Sequence, residues 1–293
     1  MQKSIAFILN PVSGKGSKDN FLKKVTQIEG WEGWSYEILY TERVGHATEL
    51  AREYSNKVDY IIAVGGDGTV HEVAKGVAGS GAVFGIIPMG SGNGVARHLK
   101  ISMQIDKAIK EIRYSGIHKI DTIRINGEFL LGVGGAGFDA HIAHEFDKAP
   151  SRGLATYAKL SLKEYFNYEA IEYDFTINDI NRKGKAFLFA IANSCQWGND
   201  FFISPESSMK GGKAKLIIVE ETDKASASLL APALLTKSIL KLPFVKSYDF
   251  NTLDFELDSF TFHIDGEPRT ISGKQTVKVI EDDLLVCLPG QKV

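Results

Sequence analysis

The sequence predicts two domains: an α/β domain over residues 1–124 and an all-β, sandwich-like domain over residues 125–293. Three observations carry this reading. As far as His118, short apolar runs alternate with helical stretches, the pattern of a parallel sheet. Glycine-rich turns close three of those runs, at residues 10–16, 65–69 and 90–94. Beyond His118 the segments become short, β-rich and often alternating, with two helical interruptions, as in an antiparallel sandwich.

The totals are those of a globular protein. The 293 residues suffice for two cores, and hydrophobic content of 44% with charged content of 24% is ordinary. A net charge of −2 excludes a broad nucleic-acid surface. Cys195 and Cys287 lie far apart with no CxxC spacing, as expected of reduced, structural thiols in a cytoplasmic protein. No secretory leader and no run of about 20 apolar residues is visible.

In the first half, residues 4–9, 35–41, 59–64 and 82–87 read as strands, and residues 21–28, 45–55, 95–99 and 105–114 as helices. Ala47, Leu50, Ala51 and Tyr54 share one helix face. The third strand is the centre of the pattern. It runs into Gly65, Gly66, Asp67, Gly68 and Thr69, and a helix is expected from about Val70. A strand, a glycine turn and a helix aim backbone N–H groups and a helix N-terminus at one place, which suits an anion. Glycine lets a phosphate approach the main chain. Asp67 would repel that phosphate unless a divalent cation such as Mg²⁺ lies between them.

The first loop, with Asn10, Ser13, Gly14 and Lys15, is not a Walker A loop, because Leu9 stands where its first glycine belongs. It is not a dinucleotide fingerprint either, because Asp19 takes the third glycine position. The loop carrying Ser91, Gly92 and Asn93 closes the fourth strand. In an open α/β sheet such loops share one edge, where ligands bind. Three of them imply a large phosphorylated ligand.

Gly65-Gly66-Asp67-Gly68-Thr69 resembles the signature shared by diacylglycerol kinases, sphingosine kinases and NAD kinases. The flanking motifs narrow the choice. Asn10-Pro-x-Ser-Gly14, Thr41 with Gly45-His46-Ala47, Glu72, and Pro88-x-Gly-Ser-Gly-Asn93 follow the order and spacing of the diacylglycerol kinase catalytic domain family. The resemblance implies an ATP- and Mg²⁺-dependent lipid kinase with a β-sandwich second domain and an active cleft between the domains. It implies ATP contacts from Asn10, Ser13, Gly14, Lys15, Thr41, Gly65, Gly66, Gly68, Thr69, Glu72, Ser91, Gly92 and Asn93, and a metal contact from Asp67. Bacterial diacylglycerol kinases often carry aspartate where this chain has Gly94; sphingosine and ceramide kinases carry a small or apolar residue. The expected acceptor is therefore diacylglycerol or a sphingoid or ceramide-like lipid. The alternatives are a NAD kinase-like phosphotransferase and a catalytically silent nucleotide-binding module.

In the second half, residues 120–125, 129–133, 171–177, 186–193, 214–220, 252–257, 261–264 and 277–280 read as strands. Helices are expected near residues 155–168 and 225–242. Residues 134–139 and 192–194 also look like family landmarks. Asp265-Gly266 alone is a hairpin signal. With Glu267 it matches the Asp-Gly-Glu of the family, which implies that Glu267 is the general base; in sphingosine kinases the residue matching Asp67 is given that role instead. Lys210-Gly211-Gly212 replaces the Asp-Asp-Gly that helps hold a structural Mg²⁺ in Gram-positive diacylglycerol kinases, so that site is expected to be missing or altered.

Other residues carry plainer readings. His141 and His144 lack the further ligands of a metal site, and Trp31 and Trp34 suit packing. Residues 224–246 are amphipathic, with Lys224, Lys237, Lys241 and Lys246. They read as a helix packed on the β domain and interrupted at Pro232, with membrane contact as the sharper alternative. The expected partners are a lipid substrate and a membrane surface touched peripherally, with no nucleic acid and with a homodimer left open.

Overall fold

The computed structural model describes residues 2–14, 17–27, 33–148, 163–164, 168–258 and 261–290. Lys15, Trp31 and most of the helix expected at residues 155–168 lie outside them. The chain forms two units, residues 1–121 with 281–293, and residues 122–280.

The first unit is α/β. Its strands are β1 (Lys3–Leu9), β2 (Trp34–Tyr40), β3 (Tyr60–Gly65) and β4 (Val83–Pro88), joined by the end of β15 (Gln275–Leu288). They lie in the order β15–β4–β3–β1–β2, and every pair in that series is parallel. β3 and β4 are buried along their whole length, which is why their sequences are continuous apolar runs. β2 is an edge strand and mostly exposed. On it the Trp34 ring meets Tyr60 at 5.1 Å, the packing role expected of that tryptophan. Helices α1 (Ser17–Gln27), α2 (His46–Tyr54), α3 (Asp67–Val77), α4 (Gly94–His98) and α5 (Ile105–Arg113) connect the strands. Helix α2 packs on α3. Helix α1 packs on α5, with a Lys24–Asp106 ion pair at 3.0 Å.

Several boundaries differ from the sequence reading, among them the strand expected at residues 186–193, which starts at Ile180, and that at 129–133, which divides between two strands. Helix α3 starts at Asp67 rather than near Val70. The glycines of the turn accept helical angles, and an acidic residue in a first turn suits the helix dipole. The first unit also reclaims residues 281–293, which the sequence reading assigned to the second domain. The cause is β15, which is far longer than residues 277–280 and runs on to pair Val286 with Phe84 of β4. Its Cys287 packs into the space that Gly85 leaves: a Cβ on Gly85 would lie 2.7 Å from the Cys287 sulfur. Both cysteines are free thiols, and burial pushes that of Cys287 up to about 12.

The second unit is antiparallel, with strands β5 (Gly116–Ile125, shared with the first unit), β6 (Glu128–Leu130), β7 (Val133–Gly137), β8 (Ile171–Ile177), β9 (Ile180–Ala192), β10 (Ala214–Glu220), β11 (Val245–Phe250), β12 (Thr252–Leu257), β13 (Thr261–Ile264) and β14 (Glu267–Thr270), and the first part of β15. Their order is β14–β13–β7–β9–β8–β12–β15, and β10 pairs with β9 and β11. Strands β9 and β10 are covered on both faces. Phe189, Ile191, Leu216 and Ile218 enter one core cluster; Leu188, Ala190, Ile217 and Val219 enter another. Neither β11 nor β14 was anticipated. Helix α6 (Phe138–Lys148) follows β7.

The helix expected at residues 225–242 is three short pieces: α7 (Lys224–Ala227), α8 (Leu230–Leu235) and a 3-10 turn, Ile239–Lys241. Asp223 caps α7 through the amides of Ala225 and Ser226. Pro232 does not make the break. It sits in the first turn of α8, where the missing N–H has no intrahelical partner to lose. Ala227, Ala233 and Ile239 are buried, so these pieces pack on the β domain as expected.

Candidate functional site

Because β4, β3, β1 and β2 are parallel neighbours, the loops after them line one edge of the first unit in that order. Backbone bonds already tie the strand ends together. Asn10 N–H donates to the Val64 carbonyl at 3.1 Å, Thr41 N–H to Leu9 at 3.0 Å, and Met89 N–H to Gly65 at 2.7 Å.

Asp67 is the clasp between the second and third glycine loops. Its Oδ2 accepts the Asn93 N–H and its Oδ1 the Gly94 N–H, both at 2.7 Å. Asn93 adopts a left-handed conformation (φ 52°) and closes its own loop. Its Oδ1 accepts the Gly90 N–H at 3.0 Å, and its Nδ2 donates to the Gly90 carbonyl at 2.8 Å. The Asn10 side chain accepts the Val12 N–H and donates to Thr69 Oγ1 at 3.3 Å, linking the first loop to the start of α3. Gly14, at φ 62°, supplies the left-handed turn of that loop. Gly92 accepts from Arg97 Nε at 3.1 Å, and Ser91 is exposed.

Glu72 fastens the start of α2. Its carboxylate accepts the Gly45 and Ala47 amides at 2.9 and 3.1 Å, at the start of α2, and its carbonyl accepts the Thr48 hydroxyl. It seats the loop that carries Thr41 against α3.

The glycines serve contact between loops. A Cβ on Gly65 would strike Thr69 at 2.5 Å, and one on Gly90 would lie 2.6 Å from the Gly66 Cα. The second obstacle is backbone and cannot rotate away. Gly90→Ala is therefore expected to destabilise the first unit by about 1–3 kcal/mol. Thermal unfolding checks this.

Gly66 caps α3 without a side-chain bond. The first-turn amides of this helix thus suit a phosphate. Among the described residues no three His, Cys, Asp or Glu side chains converge as a metal cage. Asp67 fits a cation of another kind. Mg²⁺ on a nucleotide takes one or two carboxylates beside phosphate oxygens and water, which is the ligand chemistry that Asp67 offers. Residues 210–212 offer no carboxylate; Gly211 and Gly212 turn there at φ 88° and 68°.

In the second unit, β13 and β14 form a hairpin with Ile264 opposite Glu267. Asp265 (φ 50°) and Gly266 (φ 84°) are its two loop residues, the left-handed pair of a type I′ turn. Asp265 is structural. Its carboxylate accepts the amides of Leu131, Gly132 and Val133 at 2.8, 2.7 and 3.1 Å. Glu267 is exposed, and its carboxylate has no partner among the described residues. One pairing escaped the sequence reading: His263 Nε2 lies 2.9 Å from Asp139 Oδ2, both side chains being buried. The residues are 124 apart in the chain, so no local pattern could join them.

Residues 4–125 match the model of the diacylglycerol kinase catalytic domain, and residues 132–287 match that of the YegS C-terminal NAD kinase beta sandwich-like domain. The chain belongs to the diacylglycerol kinase family. Its relatives include the diacylglycerol kinase of Staphylococcus saprophyticus, 29% identical over 77% of this chain and 75% of that one. The diacylglycerol kinase of Bacillus subtilis is 27% identical over 76% of each. Two crystal structures from Bacillus anthracis, the second of a diacylglycerol kinase, align with TM-scores of 0.80 and 0.74 at 21% and 18% identity. Each alignment covers 100% of this chain and 99% or 98% of the other, and shows a shared fold. As a diacylglycerol kinase family member, the chain has the α/β and β-sandwich-like domains that its sequence implied.

Proposed function

We propose that this chain transfers the γ-phosphoryl group of ATP to a hydroxyl of a lipid, either diacylglycerol or a sphingoid or ceramide-like relative. The observation that carries the proposal is the fastened edge of the first unit, where Asp67 and Asn93 lock two glycine loops beside the open N-terminus of α3. That edge offers backbone N–H groups and a helix dipole to phosphates. Asn10, Ser13, Gly14, Lys15, Thr41, Gly65, Gly66, Gly68, Thr69, Ser91, Gly92 and Asn93 are the proposed nucleotide-binding set. Glu72 belongs to it by holding the loop at residues 41–45.

Phosphoryl transfer needs positioning, charge neutralisation and a place for the hydroxyl proton. The loops position the phosphates. Asp67 would hold Mg²⁺, which supplies charge neutralisation at the phosphate oxygens. Glu267 is exposed and unpaired among the described residues, which leaves its carboxylate available to take the proton. A lipid acceptor implies peripheral contact with a bilayer. No helix among the described residues is long and apolar enough to cross one. Leu229 and Leu235, about half exposed, are the proposed contact.

The test is a panel of mixed-micelle acceptors, namely diacylglycerol, monoacylglycerol, sphingosine and ceramide, with NAD⁺ as soluble control. Phosphorylation of one lipid class names the acceptor. Product from NAD⁺ alone would overturn the proposal.

A further inference from the structure

The pairing of His263 with Asp139 has a defined protonation pattern. The Gly266 N–H donates to His263 Nδ1 at 3.2 Å. A backbone amide can only donate, so Nδ1 carries the lone pair and the ring proton of the neutral imidazole sits on Nε2. That proton points at Asp139 Oδ2, 2.9 Å away, while Asp139 Oδ1 accepts the Ala140 N–H at 2.8 Å. The side chains of His263 and Asp139 are 4% and 6% exposed. Tyr168 stands close enough to Asp139 that burial, and after it the Asp139 charge, push its phenol up. Both imidazole nitrogens are thus occupied and sealed from solvent. His263 cannot itself receive a substrate proton.

What His263 does touch is the turn that presents Glu267. Asp265 ties one side of that turn to the amides of residues 131–133. The bond from Gly266 to His263 ties the other side, one residue before Glu267. We propose that Asp139 and His263 are positioning residues for Glu267: Asp139 selects the Nε2–H tautomer, and the tautomer leaves Nδ1 free to hold the Gly266 amide. The role rests on the reading of Glu267 as base. The logic is that of a buried aspartate orienting a histidine, in which an amide replacement imposes the wrong tautomer. In Asp139→Asn the side-chain NH₂ would face Nε2 and drive the ring proton onto Nδ1, against the Gly266 N–H.

The experiment has two readouts on the full chain. The first is the ¹⁵N spectrum of the His263 imidazole at neutral pH, assigned by loss of its signals in His263→Gln. A proton on Nε2 with a bare Nδ1 is expected, and a proton on Nδ1 overturns the inference whatever the activity. The second is kinetic. Asp139→Asn should lower kcat by about 10- to 100-fold with KM for ATP unchanged, as displacement of a reacting group does. In a Glu267→Gln background it should cost nothing further, because its effect passes through Glu267. Independent losses in the double variant, or an unchanged kcat in the single one, overturn the inference. If Asp139→Asn does not fold, or if the wild type phosphorylates no lipid, the nitrogen spectrum decides alone. The latter result counts against the functional proposal and leaves the tautomer to be judged by itself.

Discussion

Glu267→Gln is expected to lower lipid phosphorylation by at least about 100-fold, the range lost with a general base. The same variant should fold and melt as the wild type does, because the Glu267 side chain is exposed and has no partner among the described residues. It should also bind ATP normally, since every proposed ATP contact belongs to the first unit. Glutamine keeps the length and shape of the side chain while removing its charge and its capacity to take a proton. Steady-state kinetics with thermal unfolding check the expectation. Near-normal turnover would remove Glu267 from the chemistry and return the role of base to Asp67.

Asp67→Asn is expected to fail in three ways at once. Turnover should fall by about 100-fold or more through lost charge stabilisation. Stability should also fall, by about 1–3 kcal/mol, because two charge-assisted bonds become one at best. An asparagine has a single acceptor oxygen, while the Asn93 and Gly94 amides both point at this side chain at 2.7 Å. Its NH₂ group would face a donor. The Gly90 loop should loosen, so ATP affinity should drop as well. Steady-state kinetics, calorimetric titration with ATP and denaturant unfolding separate the three effects. A variant that loses turnover but keeps both stability and ATP affinity would contradict the clasp.

The contrast between these variants marks what the sequence could say. The strands around residues 4–9, 59–64 and 82–87 were legible because both faces are buried, which leaves an unbroken apolar signature. The loops were legible because turns and close approaches demand glycine. The reason for those glycines was only half legible: Gly65, Gly66 and Gly90 make room for Thr69 and for each other's backbones. Glu72 read as part of the ligand site, but its bonds to the Gly45 and Ala47 amides were not legible, because a carboxylate near a motif does not reveal which amides it meets. The last part of β15 was unreadable because its partner, β4, lies some two hundred residues upstream. The hairpin at Asp265-Gly266 was legible from its dipeptide alone. The Asp139–His263 pair behind it was not, since only the folded chain brings the two together.

The most direct measurement is transfer of label from γ-labelled ATP into an organic-extractable product, run in parallel on the wild type, Glu267→Gln and Asp67→Asn. The account predicts labelled lipid from the wild type and a loss of about 100-fold in each variant. Undiminished label in both variants, or a wild type that binds ATP yet labels no lipid, would contradict it.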